Sequence, residues 1–201
     1  MNHPQLTIHP MRRRHIPGIL AIENQSFSQP WTEAMFLQEL EDVAFSKSFV
    51  ALQGRELAGY IISWFLRFEV HVLNIAVAPG ARHRGVGRAL MEFVVDRARS
   101  GSKELVTLEV RPSNSVAKQL YESMGFVGCA VRHGYYTETG EDALVMVLVL
   151  NRSAVQGERV LHETRRQDRR THEIPLAKRS EATDVRMKST PGRLADEDDD
   201  A

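Results

Sequence analysis

The segment from Leu73 to Arg88 constrains the fold of this chain more than any other stretch. It runs from an apolar strand through a basic turn with two glycines, Gly85 and Gly87, into a helix. The amides of a helix's first turn have no partner within the helix, and the helix dipole adds roughly half a positive charge at that end. Such a turn is suited to bind a pyrophosphate, because the glycines leave the backbone accessible and three nearby arginines add mobile positive charge.

The length and charge of the chain limit its class. Its 201 residues are enough for one domain with a sizeable core but hardly for a second full domain. Because 26 basic side chains are balanced by 26 acidic ones, the overall charge indicates neither nucleic acid nor a membrane surface as a partner. The N-terminal residues show no apolar run of the kind expected in a signal sequence, and no stretch approaches the roughly 20 apolar residues that span a bilayer. We therefore expect a soluble, cytoplasmic protein.

The cysteine and histidine residues predict no special site. Cys129 is the only cysteine, which leaves no intrachain disulfide and no cysteine-rich zinc site, and its apolar strand neighbours predict a small buried side chain. The eight histidines are scattered without the spacing of metal ligands, so we predict that the chain binds no metal.

Hydrophobic periodicity and turn residues predict the order strand, two helices, three strands, helix, strand, helix and two strands. The predicted strands cover residues 6–11, 48–52, 56–65, 71–77, 105–110, 126–131 and 143–150. The predicted helices cover residues 16–27, 32–40, 86–100 and 114–124. A connection from Arg132 to Asp142 joins the last two strands. This order is that of a mixed α/β domain with one central sheet.

The composition changes after Leu150. Residues 151–201 are dense in charged and polar side chains, have no lasting apolar periodicity and end in an acidic run from Asp196 to Asp200. Such a segment cannot bury enough apolar surface to offset the entropy that is lost on ordering. We therefore predict a folded domain over residues 1–150 and a mostly disordered tail over residues 151–201.

Several short motifs accompany the glycine turn at fixed distances. They are, in order, Pro30-Trp31, Arg-His-Arg-Gly-Val-Gly at 82–87, Leu-Glu-Val-Arg at 108–111, Ser-Asn at 113–114, Leu-Tyr-Glu-Ser-Met-Gly-Phe at 120–126 and Tyr135-Tyr136. On these residues, the stretch from about residue 6 to 150 resembles the GNAT superfamily of acetyl-CoA-dependent N-acetyltransferases. Within that superfamily it looks like the RimI-type branch, which acetylates the alanine N-termini of ribosomal proteins.

This resemblance implies a GNAT fold, in which a mixed, mostly antiparallel sheet is flanked by helices, with acetyl-CoA as co-substrate and no metal. It also implies that the pantetheine arm binds along a strand and that the pyrophosphate binds at the glycine turn. The backbone groups for the arm belong to Ile75, Ala76 and Val77. The groups around the pyrophosphate belong to His83, Arg84, Gly85, Val86, Gly87 and Arg88.

The resemblance also assigns chemistry to two residues. Glu109 is implied as the general base that takes a proton from the α-amine, and Tyr121 as the general acid that protonates the departing CoA thiolate. Strand alternation separately places Thr107 and Glu109 on one face of their strand. Each role has a structural alternative, because Glu109 could form a salt bridge with a neighbour such as Arg111, and Tyr121 could pack its helix on the sheet.

The remaining candidates also have two interpretations. Asn114 could hydrogen-bond the CoA arm or cap the helix that follows it. In the family that the chain resembles, Trp31, Tyr135 and Tyr136 would line the groove that binds the substrate peptide. As aromatic residues alone, they more often belong to the core or its rim.

We therefore predict an enzyme that binds acetyl-CoA and then the extended N-terminus of a protein, and transfers the acetyl group directly to the α-amine in a ternary complex. The predicted substrate is the alanine N-terminus of a small-subunit ribosomal protein, and neither nucleic acid nor a membrane takes part. Two alternatives stay open: a lysine or small-amine acetyltransferase of the same fold, and a module that senses acyl-CoA without turning it over. The sequence favours no oligomeric state.

Overall fold

Seven apolar segments form the strands of one sheet in the computed structural model of the chain. The structure describes residues 5–41 and 44–151. The strands are β1 (Leu6–Pro10), β2 (Ser46–Gln53), β3 (Glu56–Phe65), β4 (Glu69–Val77), β5 (Leu105–Val110), β6 (Val127–Tyr136) and β7 (Glu141–Val149). Their spatial order is β1-β2-β3-β4-β5-β7-β6. Every neighbouring pair is antiparallel except β4 and β5, which are parallel. The predicted mixed, mostly antiparallel sheet is confirmed.

Four α-helices in the described residues occupy connections where apolar residues recur at helical spacing. They are α1 (Ile16–Ser26), α2 (Glu33–Glu41), α3 (Val86–Ser100) and α4 (Ser115–Ser123). Local signals favour their first turns. Pro17 lies in the first turn of α1, and the Thr32 hydroxyl accepts a hydrogen bond of 3.4 Å from the Met35 amide in α2. None of the described helices is long and apolar enough to cross a membrane.

The helices cover the two faces of the sheet. Leu90 of α3 shares a buried apolar cluster with Ile61 of β3. Ile19 of α1 and Phe36 of α2 share a second buried cluster with Tyr60, the residue next to Ile61. Because successive strand residues point to opposite faces, these two clusters lie on opposite sides of β3. The central strand is therefore covered on both faces, which explains its nearly continuous apolar sequence.

Strands β4 and β5 pair along only part of their length. The last pair of their parallel ladder is Val72 opposite Leu108. Beyond that pair, β4 continues to Val77 and β5 to Val110, and the described residues show no further pairing between the two strands. The sheet therefore has an opening in its middle, and one edge of β4 is available there to hydrogen-bond an extended ligand.

Two predictions about the last hairpin are wrong. The connection predicted from Arg132 to Asp142 is mostly strand, because β6 continues to Tyr136 and β7 begins at Glu141. The pairing is irregular between Arg132 and Tyr136, which interrupts the simple alternation that identifies a strand in a sequence. Cys129 is exposed rather than buried, because β6 is an edge strand whose first residues face solvent.

The end of the described region is tied to the sheet. The amides of Leu150 and Asn151 both donate to the carbonyl of Glu104, over 2.8 Å and 3.3 Å. The predicted tail over residues 151–201 lies outside the described residues apart from Asn151 itself. The division into a domain over residues 1–150 and a tail therefore stays a prediction.

Candidate active site

The glycine turn leads into α3 through two residues with positive φ. Gly85, which directly precedes the helix, has a φ of 80°, and His83 has a φ of 60°. This conformation suits Gly85, which has no Cβ, but is uncommon for a residue such as His83. The Ala89 amide donates to the Gly85 carbonyl over 2.9 Å and so begins the helical ladder. The amides of residues 86–88 therefore point out of the helix end, where an anion can bind them.

Two arginines of the turn are held by neighbouring elements. Arg82 donates to the Val77 carbonyl over 3.2 Å and to the Ser26 hydroxyl over 3.1 Å, which ties the turn to the end of β4 and to α1. Arg88 donates to the Ser123 hydroxyl of α4 over 2.5 Å. The positive charge expected to be mobile at this turn is thus largely fixed in place, because two guanidinium groups already have protein partners.

The edge of β4 that faces the opening consists of Ile75, Ala76 and Val77. On their other side these residues pair with β3, opposite Ile61, Tyr60 and Gly59. Ala76 is buried, whereas Ile75 and Val77 are half-buried and pack against the cluster around α3. Their backbone groups on the β5 side lie beyond the last β4–β5 pair, so an extended ligand can add to this edge as a strand would.

Glu109 follows the last β4–β5 pair directly and lies between two basic side chains. Its Oε2 atom is 3.1 Å from Nε2 of His71 on β4, and its Oε1 atom is 2.8 Å from Nη1 of Arg132 on β6. The Glu109 side chain is only 7% exposed. Nδ1 of His71 is 2.9 Å from the Thr107 hydroxyl. Thr107 and Glu109 therefore lie on one face of β5, as predicted.

The salt bridge predicted as the alternative for Glu109 exists, but Arg111 is not the partner. β5 ends one residue before Arg111, whose side chain turns to the β6–β7 hairpin instead. There its guanidinium forms an ion pair with Glu138, comes within 3.6 Å of the Glu141 carboxylate and lies 3.6 Å from the centre of the Tyr136 ring. Arg111 thus holds Tyr136 in place, and Glu109 is paired by other residues.

The protonation of His71 is coupled to Glu109. Burial by itself lowers the pKa of His71, but the charge of Glu109 and its hydrogen bond outweigh burial, so the pKa is raised above 6.5. Glu69 adds to the rise, and Arg132 opposes it. His71 and Arg132 are the two basic neighbours of Glu109. When His71 is neutral, only Arg132 of these two carries a full positive charge, and Glu109 accepts a proton more readily than when both are charged.

Tyr121 of α4 lies on the other side of the sheet from Glu109. It shares the α3 cluster with Leu108 and Val110, the two residues of β5 that flank Glu109 and point the opposite way. It is 6% exposed, and its ring centre is 5.8 Å from that of Phe126. Burial raises the pKa of the Tyr121 hydroxyl to about 12. Tyr121 therefore packs α4 against the sheet and also retains its proton at neutral pH.

Asn114 caps α4, as one of its two predicted roles requires. Its Oδ1 atom accepts a hydrogen bond of 3.1 Å from the amide of Ala117. This bond satisfies one of the amides that a helix leaves unpaired at its start. The contact between Asn114 and the CoA arm stays a prediction, and the capped conformation leaves the side-chain amide nitrogen as the group that could make it.

The three aromatic residues predicted to line a peptide groove lie on two segments. Trp31, between α1 and α2, packs on Phe36 with ring centres 5.5 Å apart. Tyr135 and Tyr136 end β6, with ring centres 5.0 Å apart and ring planes at 84°. The guanidinium of Arg132 lies 5.8 Å from the Tyr135 ring centre, so this tyrosine adjoins the cluster around the proposed base. All three aromatic residues are partly exposed.

The partners of Glu109 could not be found by sequence analysis. His71 and Arg132 belong to none of the recognised motifs, and only the strand register brings them to Glu109. Arg132 lies opposite Ala143 of β7, a small buried residue, and its long side chain reaches across that strand. The available signal was weak: each is a basic residue within an otherwise largely apolar strand.

Comparison with known proteins agrees with this architecture. Residues 16–126 match the Acetyltransferase (GNAT) family. The chain is 33% identical over 147 residues to the ribosomal protein bS18-alanine N-acetyltransferase of Escherichia coli strain K12, covering 72% of this chain and 98% of that protein. It is 37% identical over 147 residues to the N-alpha-acetyltransferase RimI of Mycobacterium tuberculosis, covering 70% of this chain and 90% of that protein.

A solved structure shows the same fold. The crystal structure of the ribosomal-protein-S18-alanine N-acetyltransferase from Escherichia coli matches with a TM-score of 0.68 and 32% identity, covering 77% of this chain and 97% of that one. The family match spans more than half of the present chain, which therefore belongs to the GNAT acetyltransferase family. The predicted family, fold and class of enzyme are confirmed.

Proposed function

We propose that this chain transfers the acetyl group of acetyl-CoA to the N-terminal α-amine of a protein. The observation that carries the proposal is the position of Glu109 beside the opening between β4 and β5, with Tyr121 on the opposite side of the sheet. A thioester bound in that opening would have a proton acceptor on one side and a proton donor on the other. This is the arrangement that acyl transfer to an amine requires.

The described residues fit acetyl-CoA, which supplies the acetyl group as a thioester. The unpaired amides at the start of α3 are suited to its pyrophosphate, and no side chain of the described residues caps them. A Cβ added at Gly85 would meet no atom within 4 Å, so the space beside this residue is open. The edge formed by Ile75, Ala76 and Val77 is suited to the amide groups of the pantetheine arm.

The proton transfers balance with these two residues. A protein α-amine has a pKa of about 8, so Glu109 first accepts a proton from the ammonium, directly or through water, and passes it to solvent. As the amine nitrogen bonds to the acetyl carbon and the carbon–sulfur bond breaks, Tyr121 gives its proton to the departing sulfur. The second proton lost by the nitrogen restores the Tyr121 hydroxyl through solvent. The products are an N-acetylated terminus, CoA thiol and one released proton.

We infer that the substrate is the alanine N-terminus of a small-subunit ribosomal protein. The names of the Escherichia coli and Mycobacterium tuberculosis relatives support this choice, since they specify bS18-alanine and N-alpha acetylation. The partly exposed Trp31, Tyr135 and Tyr136 support a peptide as the second substrate, because aromatic side chains provide contact surface for an extended chain. Such a substrate would place the reaction in the cytoplasm and requires neither nucleic acid nor a membrane.

The test is to incubate the full chain with acetyl-CoA and a panel of peptides that differ in their first residue, and to locate the added acetyl group by mass spectrometry. We expect acetylation of the α-amine, with alanine-initiated peptides preferred. Matched peptides with a blocked N-terminus and an internal lysine should stay unmodified. Transfer only to lysine or to a polyamine would contradict the proposal, and calorimetric CoA binding without transfer would favour a sensing module.

A further inference from the structure

Glu23, near the end of α1, is a carboxylate in the interior of the protein. The residue is 1% exposed and lies on the face of the sheet that α1 and α2 cover. Burying a charged carboxylate is costly unless several donors hydrogen-bond to it. Three groups that donate to Glu23 come from other parts of the chain, and none of them was predicted from the sequence.

The three donors connect separate elements. The Tyr60 hydroxyl on β3 donates to Oε2 of Glu23. Nδ2 of Asn74 on β4 lies 3.2 Å from Oε1 and 3.4 Å from Oε2. The backbone amide of Trp31, in the connection between α1 and α2, donates to Oε1 over 2.9 Å. One carboxylate thus joins α1, two central strands and the segment that carries a proposed substrate-binding residue.

A bulge in β4 is what turns Asn74 towards Glu23. In the β3–β4 pairing, Leu73 is an extra residue between the partners of Ile62 and Ser63. The bulge reverses the alternation of β4, so Asn74 faces α1 although Val72, two positions earlier, faces α3. Asn74 also directly precedes the edge of β4 that is proposed to bind acetyl-CoA. Glu23 is therefore hydrogen-bonded both to the segment that carries Trp31, on the proposed peptide side, and to the strand beside the proposed thioester site.

The hydrogen bond between the Trp31 amide and Glu23 lies at the end of an exposed segment. Residues 27–30 are exposed, and Pro30 has no amide to donate. The Trp31 amide is thus the first donor after this proline, and Glu23 accepts it. Without that acceptor, the backbone of Trp31 would lose its fixed position relative to β4, while the elements that carry Glu109 and Tyr121 would stay in place.

We propose that Glu23 is a positioning residue for the protein substrate, fixing the backbone of Trp31, and with it one wall of the peptide groove, relative to the strand beside the thioester. The inference rests on the proposed function and adds a specificity-determining residue to it. Glu23 itself does not contact either substrate. Its loss should therefore raise the KM for the peptide more than it lowers kcat. It should leave the affinity for acetyl-CoA nearly unchanged, because the backbone of β4 stays paired with β3 at and around Asn74.

The test compares two variants at Glu23 with a matched control. Glu23→Leu removes the acceptor, whereas Glu23→Gln keeps one oxygen for the Trp31 amide while the Tyr60 hydroxyl can turn to accept from the new amide nitrogen. The control is Glu39→Leu, because Glu39 is also buried, at 3% exposure, and accepts a bond of 2.8 Å from the Trp64 indole rather than one from the Trp31 amide.

The measurements are the melting temperature, the kinetic constants for an alanine-initiated peptide and the hydrogen exchange of the Trp31 amide. We expect Glu23→Leu to raise the peptide KM about tenfold, the factor expected for one lost hydrogen bond, and to speed exchange at Trp31. Glu23→Gln should restore a nearly normal KM. Glu39→Leu should lower the melting temperature without changing KM or the exchange at Trp31.

Two results would overturn the inference. One is an unchanged exchange rate at Trp31 in Glu23→Leu, which is measurable without any activity. The other is an active enzyme in which both leucine variants lower stability and leave the peptide KM as it was. If the unaltered chain acetylates no peptide, the proposed function fails and the role in substrate positioning fails with it, whereas the exchange data still decide whether Glu23 holds the connection.

Discussion

Nε2 of His71 lies 3.1 Å from Oε2 of Glu109 across the parallel strands β4 and β5, immediately beside the point where those strands separate. The contact couples the titration of the histidine to the proposed base. Both side chains are largely buried, at 17% and 7% exposure, so solvent screens their interaction less than it would at the surface. The pair therefore affects both the stability of the fold and its pH dependence.

The first prediction concerns stability against pH. Because Glu109 raises the pKa of His71 in the folded state above 6.5, the stabilisation from this pair is complete below pH 6.5 and is lost as the pH rises through the folded-state pKa. His71→Gln should therefore reduce the free energy of unfolding by about 1 to 3 kcal/mol at about pH 5.5, and by less at about pH 9. Urea denaturation at the two pH values measures the difference.

A matched substitution separates the pH-dependent effect of the His71–Glu109 pair from the general effect of replacing a histidine. His133→Gln changes a histidine whose side chain is 85% exposed, and its unfolding curves provide the background. If His71→Gln destabilised the chain equally at both pH values, the coupling between His71 and Glu109 would be absent. The pH profile of kcat/KM should change as well, since a charged His71 makes Glu109 a weaker proton acceptor.

The second prediction concerns the proposed acid. Tyr121→Phe removes only a hydroxyl from a ring that packs against Phe126, so the fold should persist with a small change in melting temperature. Turnover should fall by roughly 10² to 10⁴-fold, the range for a lost general acid. Acetyl-CoA binding measured by calorimetry should stay close to normal. A variant with normal turnover would show that Tyr121 serves packing alone.

Burial also has a consequence for the pH profile of the unaltered chain. With the pKa of Tyr121 raised to about 12, this residue should keep its proton throughout the working range of the enzyme. The profile of kcat should then show no loss on the alkaline side from Tyr121 below about pH 10. A fall in kcat near neutral pH that Tyr121→Phe abolishes would contradict this expectation.

The third prediction tests the glycine turn. A Cβ at Gly87 would meet Val77 at 3.5 Å and Leu120 at 3.6 Å, both ordinary contact distances, so Gly87→Ala should not disturb the fold. Because alanine favours a helix over glycine by roughly 0.5 to 1 kcal/mol, thermal stability should rise. The Kd for acetyl-CoA should nevertheless increase about tenfold if the ligand approaches this backbone.

The control for that variant is Gly80→Ala, where the added Cβ meets nothing within 4 Å and lies outside α3. It should leave the Kd unchanged. Equal acetyl-CoA affinity in Gly87→Ala and the unaltered chain would remove Gly87 from the binding surface. A gain in stability together with a loss in affinity would show that this glycine is kept for the ligand rather than for the fold.

Local features of this chain were predictable because neighbouring residues determine them. The apolar face of α3 follows from helical spacing, the start of that helix from Gly85, and the cap of α4 from Asn114. The face of β5 that carries Glu109 follows from simple alternation. Each of these depends on a few consecutive residues, and the sequence contains them directly.

Features that depend on pairing between strands were not predictable. Arg111 was an obvious partner for Glu109 because alternation places residues two apart on one face, but β5 ends before it. Which residues lie opposite Glu109 depends on register, and the orientation of Asn74 depends on a bulge at Leu73. A single sequence carries no direct record of either, so the cluster around Glu23 was missed for the same reason.

The last prediction concerns the boundary after β7. A chain that ends at Asn151 keeps the whole strand and both amides that donate to the Glu104 carbonyl, so it should melt at the same temperature as the full chain and acetylate the same peptides. A chain that ends at Met146 loses the last three residues of β7, including Val147 and its pairing with Thr107, and should melt at a lower temperature. If the chain ending at Asn151 kept its melting temperature but lost peptide acetylation, residues 152–201 would contribute to the reaction, and the proposed division of the chain would be wrong.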